Sequence, residues 1–202
     1  MPPGHKLVVN DLVEEWKISA TPIKEALNRL VTEELVEVVP RRGMRVKEYD
    51  AESVREIFEI RLMYELHCCR MAVERIDEHP EVLEELTATL AKSRALIDDE
   101  LNFVASYHLD EIFHTLLVSL CDNRKMIREY DRLHANIITF SFFVRSHSPV
   151  WRQKATYEEH ENILKGLINR SADEMERAMR CHLENTANDL LGFFQSSGRQ
   201  SS

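Results

Sequence analysis

The sequence predicts a mostly α-helical protein with two parts, a short head that ends in a β-hairpin and a longer antiparallel bundle of about six helices. Its 202 residues include only 5 Gly and 6 Pro, which is too few turn formers for a β-rich fold. Apolar residues recur at helical spacing along most of the chain, and a period-two pattern follows Leu35. Because 44% of the residues are hydrophobic, the chain can bury a core, which excludes a disordered protein.

Charge divides the chain near residue 50. The net charge is -9, but residues 1–50 hold 8 Lys and Arg against 9 Asp and Glu, whereas the remainder holds 18 against 26. A nearly neutral head with local basic clusters is compatible with DNA binding even when the body is acidic. We therefore expect one domain over residues 1–49 and a second over residues 50–202.

Targeting and cysteine patterns predict a soluble, cytoplasmic protein with no membrane partner. No stretch approaches the roughly 18 uninterrupted apolar residues of a membrane span, and the first residues lack the apolar segment of a signal peptide. The four cysteines include an adjacent pair and no CxxC motif. Such cysteines are expected to be reduced and partly buried thiols.

The head has the pattern of helix, turn, helix and hairpin. Asn10 is the expected N-cap of a short helix, and Thr21 is the expected N-cap of a second helix with Pro22 at its first position. Strands are expected near residues 36–39 and 44–46, on either side of a Pro-Arg-Arg-Gly turn. This order is the outline of a winged helix-turn-helix, in which the second helix enters the major groove of DNA.

Contacts to DNA are expected from the second helix and from the tip of the hairpin. The expected residues are Ser19, Thr21, Lys24, Asn28, Arg41, Arg42 and Gly43. The alternative is a small structural subdomain whose basic tip is only solvated. Since a helical pair alone is weak evidence, it is the added hairpin that favours DNA binding.

The head resembles the GntR family of bacterial transcription regulators. The resemblance lies in S-A-T-P-I-K-E-A-L-N-R-L (Ser19–Leu30) and L-V-E-V-V-P-R-R-G-M-R-V (Leu35–Val46). Ala20 and Lys24 stand where the family has arginines, and Glu34 stands where it has a glycine. Because Lys lacks the bidentate fork of Arg, the resemblance implies a different operator preference or a lower affinity. The family has a further helix ahead of P-G-x-x-L, where this chain begins, so we expect that helix to be missing.

The body keeps a helical period that breaks divide into six helices. The expected helices cover residues 51–75, 81–98, 102–120, 124–146, 150–169 and 172–194. Asp50 is the expected cap of the first of these helices. Ser171 and Glu174 are expected to form a capping box at the last.

Three histidines and one aspartate are the candidates for chemistry in the body. Asp110 and His114 are four residues apart, on one otherwise apolar helical face, and His160 and His182 lie in two later helices among aliphatic residues. Taken singly, they are more simply interpreted as an intrahelical pair and two half-exposed histidines. The alternative is that all four converge on one divalent metal.

A second resemblance bears on these alternatives. The segments D-x-x-F-H, E-H-x-x-I-L and H-L are similar to the FCD effector-binding domain of FadR-like GntR regulators, and the two resemblances together cover about residues 3–195. In that domain an aspartate and three histidines bind zinc, nickel or manganese. The resemblance implies this role for Asp110, His114, His160 and His182.

Arg61, four residues before Glu65, belongs to the same resemblance. A guanidinium recognises a carboxylate bidentately, so Arg61 is a candidate contact for an anionic effector in the metal cavity. The alternative is an Arg–Glu pair on the helix surface or a contact between the domains.

Together these patterns predict a homodimeric transcription regulator, not an enzyme. Its binding to double-stranded operator DNA would be controlled by a small carboxylate effector at the metal. One alternative is a metal-dependent enzyme acting on a small organic acid, since three histidines and a carboxylate can also activate water. Only Glu159 and Glu161 are candidate bases beside the cluster. A third alternative is a sensor that has lost DNA binding.

Overall fold

The computed structural model describes residues 1, 3–97, 102–133 and 152–197. Within them the protein is mostly helical, with a winged helix-turn-helix head followed by a helical bundle, which confirms the predicted fold class. No helix in these ranges is long and apolar enough to cross a membrane.

The head consists of two helices and a small sheet. The helices are α1 (Val9–Trp16) and α2 (Ala20–Thr32), and the strands are β1 (Lys6–Leu7), β2 (Val36–Val39) and β3 (Gly43–Val46). The strands pair antiparallel in the order β1-β3-β2. The predicted hairpin is therefore confirmed, whereas β1 was not predicted, because two residues are too few to show a period.

Both predicted helix caps in the head were wrong. The first helix begins at Val9, so Asn10 lies inside it. The second begins directly after Ser19, which makes Thr21 and Pro22 its second and third residues. Pro22 still fits there, because the first four N–H groups of a helix have no partner within the helix.

A small apolar core holds α1, α2 and the sheet together. Its buried residues are Leu7, Leu12, Ile23, Leu27 and Val36. They come from both helices and from two of the strands, so this core fixes the orientation of α2 relative to the hairpin. The opposite face of α2 is left exposed.

In the part of the chain that the structure describes, the body has the six predicted α-helices and a short 3-10 helix over Ile76–Glu78. The α-helices are α3 (Ala51–Arg75), α4 (Pro80–Ala95), α5 (Phe103–Ser119), α6 (described over residues 124–133), α7 (Gln153–Ile168) and α8 (Ala172–Ser197). The expected helical residues 134–146 and 150–151 lie outside the described residues.

The predicted caps in the body were partly right. Asp50 caps α3, since its Oδ1 accepts a hydrogen bond from the Ser53 N–H at 2.8 Å. At α8 only half of the capping box forms, because Ser171 Oγ accepts from the Glu174 N–H at 3.3 Å. The other half was wrong: the Ser171 N–H already donates to the Gly166 carbonyl at 3.0 Å, so the Glu174 carboxylate is not its acceptor.

The main core lies between α3, α5, α7 and α8. Phe113, Ile163, Met179 and Leu183 are among its fully buried side chains. Of the cysteines, Cys68, Cys69 and Cys121 are buried free thiols and Cys181 is exposed. The same helices also bury several polar side chains, and these form the site described next.

Candidate metal centre and nucleic-acid interface

Four side chains from three helices meet inside the body. Asp110 and His114 come from α5, His160 from α7 and His182 from α8, and one ligand atom of each lies within 4.8 Å of the other three. The three histidines are at most 3% exposed, whereas Asp110 is partly exposed. The interpretation of His160 and His182 as half-exposed surface residues was therefore wrong.

The separations of the ligand atoms suit a first-row divalent ion. The Nε2 atoms of His114 and His160 lie 3.2 and 3.4 Å from Nε2 of His182. Asp110 Oδ1 lies 3.4 Å from Nε2 of His160 and 3.8 Å from that of His114. Bonds of about 2.1 Å place neighbouring ligand atoms roughly 3.0–3.4 Å apart in octahedral or tetrahedral geometry. The four residues fit such an ion without large movements.

Helix packing explains this convergence. Asp110 and His114 are one turn apart, so they lie one above the other on α5. The His160 ring stacks on Phe113, with ring centroids 4.3 Å apart and planes 8° apart. The tight turn between α7 and α8 then brings His182 beside His160.

Two glutamates contact the outer nitrogens of two of the rings. Glu65 Oε2 lies 2.7 Å from Nδ1 of His114, and Glu159 Oε2 lies 2.8 Å from Nδ1 of His182. The contact at His114 has the distance of an ion pair, but its N–H is poorly aligned with the carboxylate oxygen. Neither glutamate was predicted to support the site, because a contact between separate helices leaves no spacing in the sequence.

Glu65, on α3, is the centre of a buried polar cluster that also includes side chains from other helices. Its Oε1 accepts hydrogen bonds from Arg61 Nε at 2.6 Å and from the Tyr130 hydroxyl at 2.9 Å. Burial acts to raise the pKa of Glu65, but the positive charge of Arg61 and the contact with His114 outweigh it and lower that pKa. Burial and the nearby Glu65 charge raise the pKa of Tyr130 well above its usual value. Glu65 is thus ionised and Tyr130 neutral.

Arg61 pairs with Glu65 at 2.6 Å, but the pair is buried, so its predicted place on the helix surface was wrong. The Arg61 side chain is 1% exposed, and its guanidinium lies 5.2 Å from the Phe58 ring centroid. Burial acts to lower the pKa of Arg61, but Glu65, Tyr130 and Asp110 raise it, so the group stays charged. Its Nη2 is buried with no hydrogen-bond partner among the described residues.

A second polar cluster holds Glu159. Its Oε1 accepts hydrogen bonds from Arg152 Nη2 at 2.8 Å and from Asn185 Nδ2 at 2.7 Å. Arg152 also donates to Thr186 Oγ1 at 2.7 Å. Burial acts to raise the pKa of Glu159, but the bonds from His182, Asn185 and Arg152 lower it. The carboxylate that faces His182 is therefore both charged and fixed in place.

Burial keeps two of the site histidines neutral. It lowers the pKa of His160 well below the usual value, and the neighbouring His182 and His114 lower it further. Burial also lowers the pKa of His182, although the bond to Glu159 acts in the opposite direction. A neutral imidazole has a free nitrogen lone pair, which is the form that binds a metal.

The candidate DNA contacts all lie at the surface of the head. Ser19, Thr21, Lys24, Asn28, Arg41, Arg42 and Gly43 are all exposed. Lys24, Arg41 and Arg42 form no ion pair with any other described residue. Arg45, by contrast, is tied to Glu37 across the hairpin at 2.7 Å. The turn between β2 and β3 thus carries two exposed arginines that form no ion pair with another described residue.

Comparisons with known proteins match both parts of the chain. Residues 1–46 match the family described as bacterial regulatory proteins, gntR family, and residues 56–185 match the FCD domain. The Nta operon transcriptional regulator of Aminobacter aminovorans is 26% identical over 94% of this chain and 86% of its own length.

Two solved structures share the fold. Escherichia coli McbR/YncC has a TM-score of 0.79 at 21% identity, over 94% of this chain and 88% of that chain. The metal-free FCD domain of TM0439 has a TM-score of 0.60 at 19% identity, over 74% of this chain and 99% of that chain.

Proposed function

This chain belongs to the gntR family of bacterial regulatory proteins and carries an FCD domain, and from that premise we propose how its DNA binding is regulated. It is a DNA-binding transcription regulator. The proposal is that a small carboxylate, bound beside a divalent metal in the body, controls its affinity for operator DNA. The observation that carries the proposal is the meeting of Asp110, His114, His160 and His182 at one buried point.

The metal-dependent enzyme is not favoured. The relatives of this chain are transcription regulators rather than enzymes. Of the two candidate bases, Glu159 is engaged by His182, Arg152 and Asn185, and so is poorly placed to take a proton from water. Glu161 accepts a hydrogen bond from Tyr157 on the exposed side of α7.

Zinc, nickel or manganese suits the four ligands. Imidazole and carboxylate are ligands that all three ions accept. Four protein ligands leave one or two positions for water or a carboxylate oxygen in a five- or six-coordinate ion. When bound, the ion would supply positive charge at the point where the partly exposed Asp110 meets the buried histidines.

Arg61 supports a carboxylate as the effector. It is charged and buried, and its Nη2 is left without a partner among the described residues. A buried donor of this kind is costly unless something accepts its hydrogen bond. An effector carboxylate that reached both the metal and Arg61 would satisfy that donor.

Helix α3 links the site to the head. Its N-cap, Asp50, lies four residues after the end of β3, and the helix carries both Arg61 and Glu65. An effector that contacts Arg61 would therefore change the energy of the helix from which the head extends. By binding one arrangement of the heads more tightly, the effector would shift the population that fits the operator.

Two measurements, each repeated on two variants, test the metal site. Elemental analysis of protein purified without chelator or affinity tag should find about one divalent ion per chain. Added zinc, nickel or manganese should raise the melting temperature of the apo protein. His182→Ala should abolish both effects, whereas His108→Ala, at an exposed residue of α5, should preserve them. Absence of metal together with an unchanged melting temperature would refute the metal site.

A separate measurement is needed to test whether a carboxylate effector changes the affinity for DNA. Fluorescence anisotropy with the DNA upstream of the protein's own gene should show binding that a set of small hydroxy and sugar acids alters. Arg61→Lys, which keeps the buried charge, should retain metal but lose the effector response. Binding that no acid alters would refute the effector, and failure to bind any upstream DNA would favour the alternative of a sensor without DNA binding.

A further inference from the structure

We infer that Glu65 and Glu159 are positioning residues of the metal site. Each holds one histidine so that the ring proton resides on Nδ1 and the Nε2 lone pair faces the centre of the site. Glu65 acts on His114 and Glu159 acts on His182. The inference rests on the proposed metal site, but it concerns the apo protein as well.

The hydrogen-bond chemistry of the two groups determines the tautomer. An ionised carboxylate can only accept hydrogen bonds, and a neutral imidazole carries a single N–H. The ring nitrogen of His182 that faces Glu159 at 2.8 Å must therefore carry the proton. At His114 the N–H is poorly aligned, but a separation of 2.7 Å between Nδ1 and an ionised carboxylate oxygen still places the proton on Nδ1. In both rings this leaves Nε2 unprotonated. The two Nε2 atoms, 3.2 Å apart, then offer lone pairs to one ion.

Each carboxylate is itself held by groups on its far side. One oxygen of Glu65 faces His114 while the other accepts bonds from Arg61 and Tyr130. Glu159 has the same arrangement, with Arg152 and Asn185 on its other oxygen. Neither carboxylate can turn away from its histidine without breaking these bonds. The two rings are thus oriented before any metal binds, which reduces the entropy cost of binding.

His160 lacks such a partner. Its Nε2 faces the centre of the site, but no described carboxylate contacts its Nδ1. Its ring is held by stacking on Phe113, a contact that fixes the plane of the ring and not the position of the proton. His160 is therefore an internal control in any measurement of histidine tautomers.

The decisive experiment uses the full apo chain labelled with 15N-histidine. Long-range 1H–15N correlation spectra at pH 8 distinguish Nδ1–H from Nε2–H rings. We expect Nδ1–H at His114 and His182. In Glu159→Ala the proton of His182 should move toward Nε2 while His114 keeps its tautomer. Glu159→Gln should move it in the same direction, because its single oxygen stays with Arg152 and Asn185 and its NH2 group faces Nδ1.

Metal affinity gives the second readout. In competition with a chromophoric chelator for zinc, Glu159→Ala should bind about 10- to 100-fold more weakly than wild type. Glu159→Gln should also bind zinc more weakly, because its NH2 group would favour a proton on Nε2 of His182. The matched control is Glu161→Ala, two residues along the same helix and facing solvent, which should change neither spectrum nor affinity.

Glu65→Gln provides the equivalent test at His114 and avoids a hole among buried charges. Its single amide oxygen is needed by Arg61 and Tyr130, so the NH2 group would face Nδ1 of His114 and the ring proton should move toward Nε2. An Nε2–H ring at His182 in wild type, or an unchanged ring in Glu159→Ala, would overturn the inference even if the protein binds metal. If the protein binds no metal, the spectra of the apo protein still test whether the two glutamates fix the tautomers of His114 and His182.

Discussion

Gly166 in α7 lies against the backbone of Met175 in α8, so closely that a Cβ atom at Gly166 would stand 2.6 Å from the Met175 nitrogen. The Gly166 carbonyl also accepts the N–H of Ser171 in the turn between the two helices. Only glycine permits this approach. Because α7 carries His160 and α8 carries His182, the width of this crossing sets the distance between two candidate ligands.

Gly166→Ala should therefore destabilise the protein and separate the two helices. Forcing a methyl group against the fixed backbone of α8 should cost about 1–3 kcal/mol in the free energy of unfolding. The matched control is Gly192→Ala in α8, where an added Cβ meets no atom within 4 Å. That change should be neutral or stabilise the helix by about 0.5–1 kcal/mol. Urea unfolding of both variants measures the difference, and equal effects would contradict it.

The unpaired basic residues of the head should carry much of the affinity for DNA. Lys24→Ala should weaken operator binding by about 1–3 kcal/mol if this residue reads a base. The double change Arg41→Ala with Arg42→Ala should weaken binding to all sequences and reduce the salt slope by about 2. Lys154→Ala, at an exposed lysine of the body, is the control. Unchanged affinity and salt slope in all of these variants would refute this mode of binding.

The stability of the apo protein should fall as the pH decreases below about 6.5. Burial lowers the folded-state pKa of His160 and His182, whereas unfolded rings titrate near 6.5. Below that pH the unfolded state takes up protons that the folded state does not, so the free energy of unfolding decreases. Urea unfolding between pH 7.5 and 5.5 avoids the range in which unfolded glutamates titrate.

His160→Asn should flatten this pH dependence, because it removes one of the depressed groups. His108→Asn removes an exposed ring and should retain the full dependence. The same protonation competes with metal, so zinc affinity should also weaken toward pH 5.5. If the free energy of unfolding stayed constant over this pH range, the claim that His160 and His182 are buried in their neutral forms would be contradicted.

Glu34 adopts a left-handed backbone conformation, with φ at 58°, which favours glycine. The GntR family, which the head resembles, has a glycine at this position, and glycine adopts this conformation without strain. The Glu34 side chain forms an exposed pair with Lys47 at 3.1 Å. Glu34→Gly and Glu34→Ala both remove that pair, but only glycine relieves the backbone strain. The Gly variant should therefore be about 1 kcal/mol more stable than the Ala variant in thermal or urea unfolding. If the Ala variant were more stable than the Gly variant, the claim that the backbone is strained at residue 34 would be contradicted.

The regulator is expected to be a homodimer. Winged-helix proteins commonly bind two-fold half-sites, and a single head of about fifty residues offers little binding energy. Light scattering at tens of micromolar protein should give twice the 23.6 kDa mass of the chain. A mass near that of one chain would contradict the expectation.

The sequence by itself determined the features that depend on neighbouring residues. The hairpin, the six helices of the body and the Asp50 cap follow from periods and caps that span a few residues. The Asp110–His114 pair follows in the same way from one helical turn. The predicted head caps at Asn10 and Thr21 were wrong because the helices begin after Val8 and Ser19, and neither residue forms a side-chain cap hydrogen bond.

Only the tertiary structure decided what the distant residues do together. A family resemblance pointed to His160 and His182, but their spacing did not, because 22 residues and a turn separate them. The sequence pattern did not indicate that Arg61 is buried. It also did not indicate that Glu65 contacts His114 or that Glu159 contacts His182. A helical period records which face of a helix is apolar, not which polar group on another helix that face will meet.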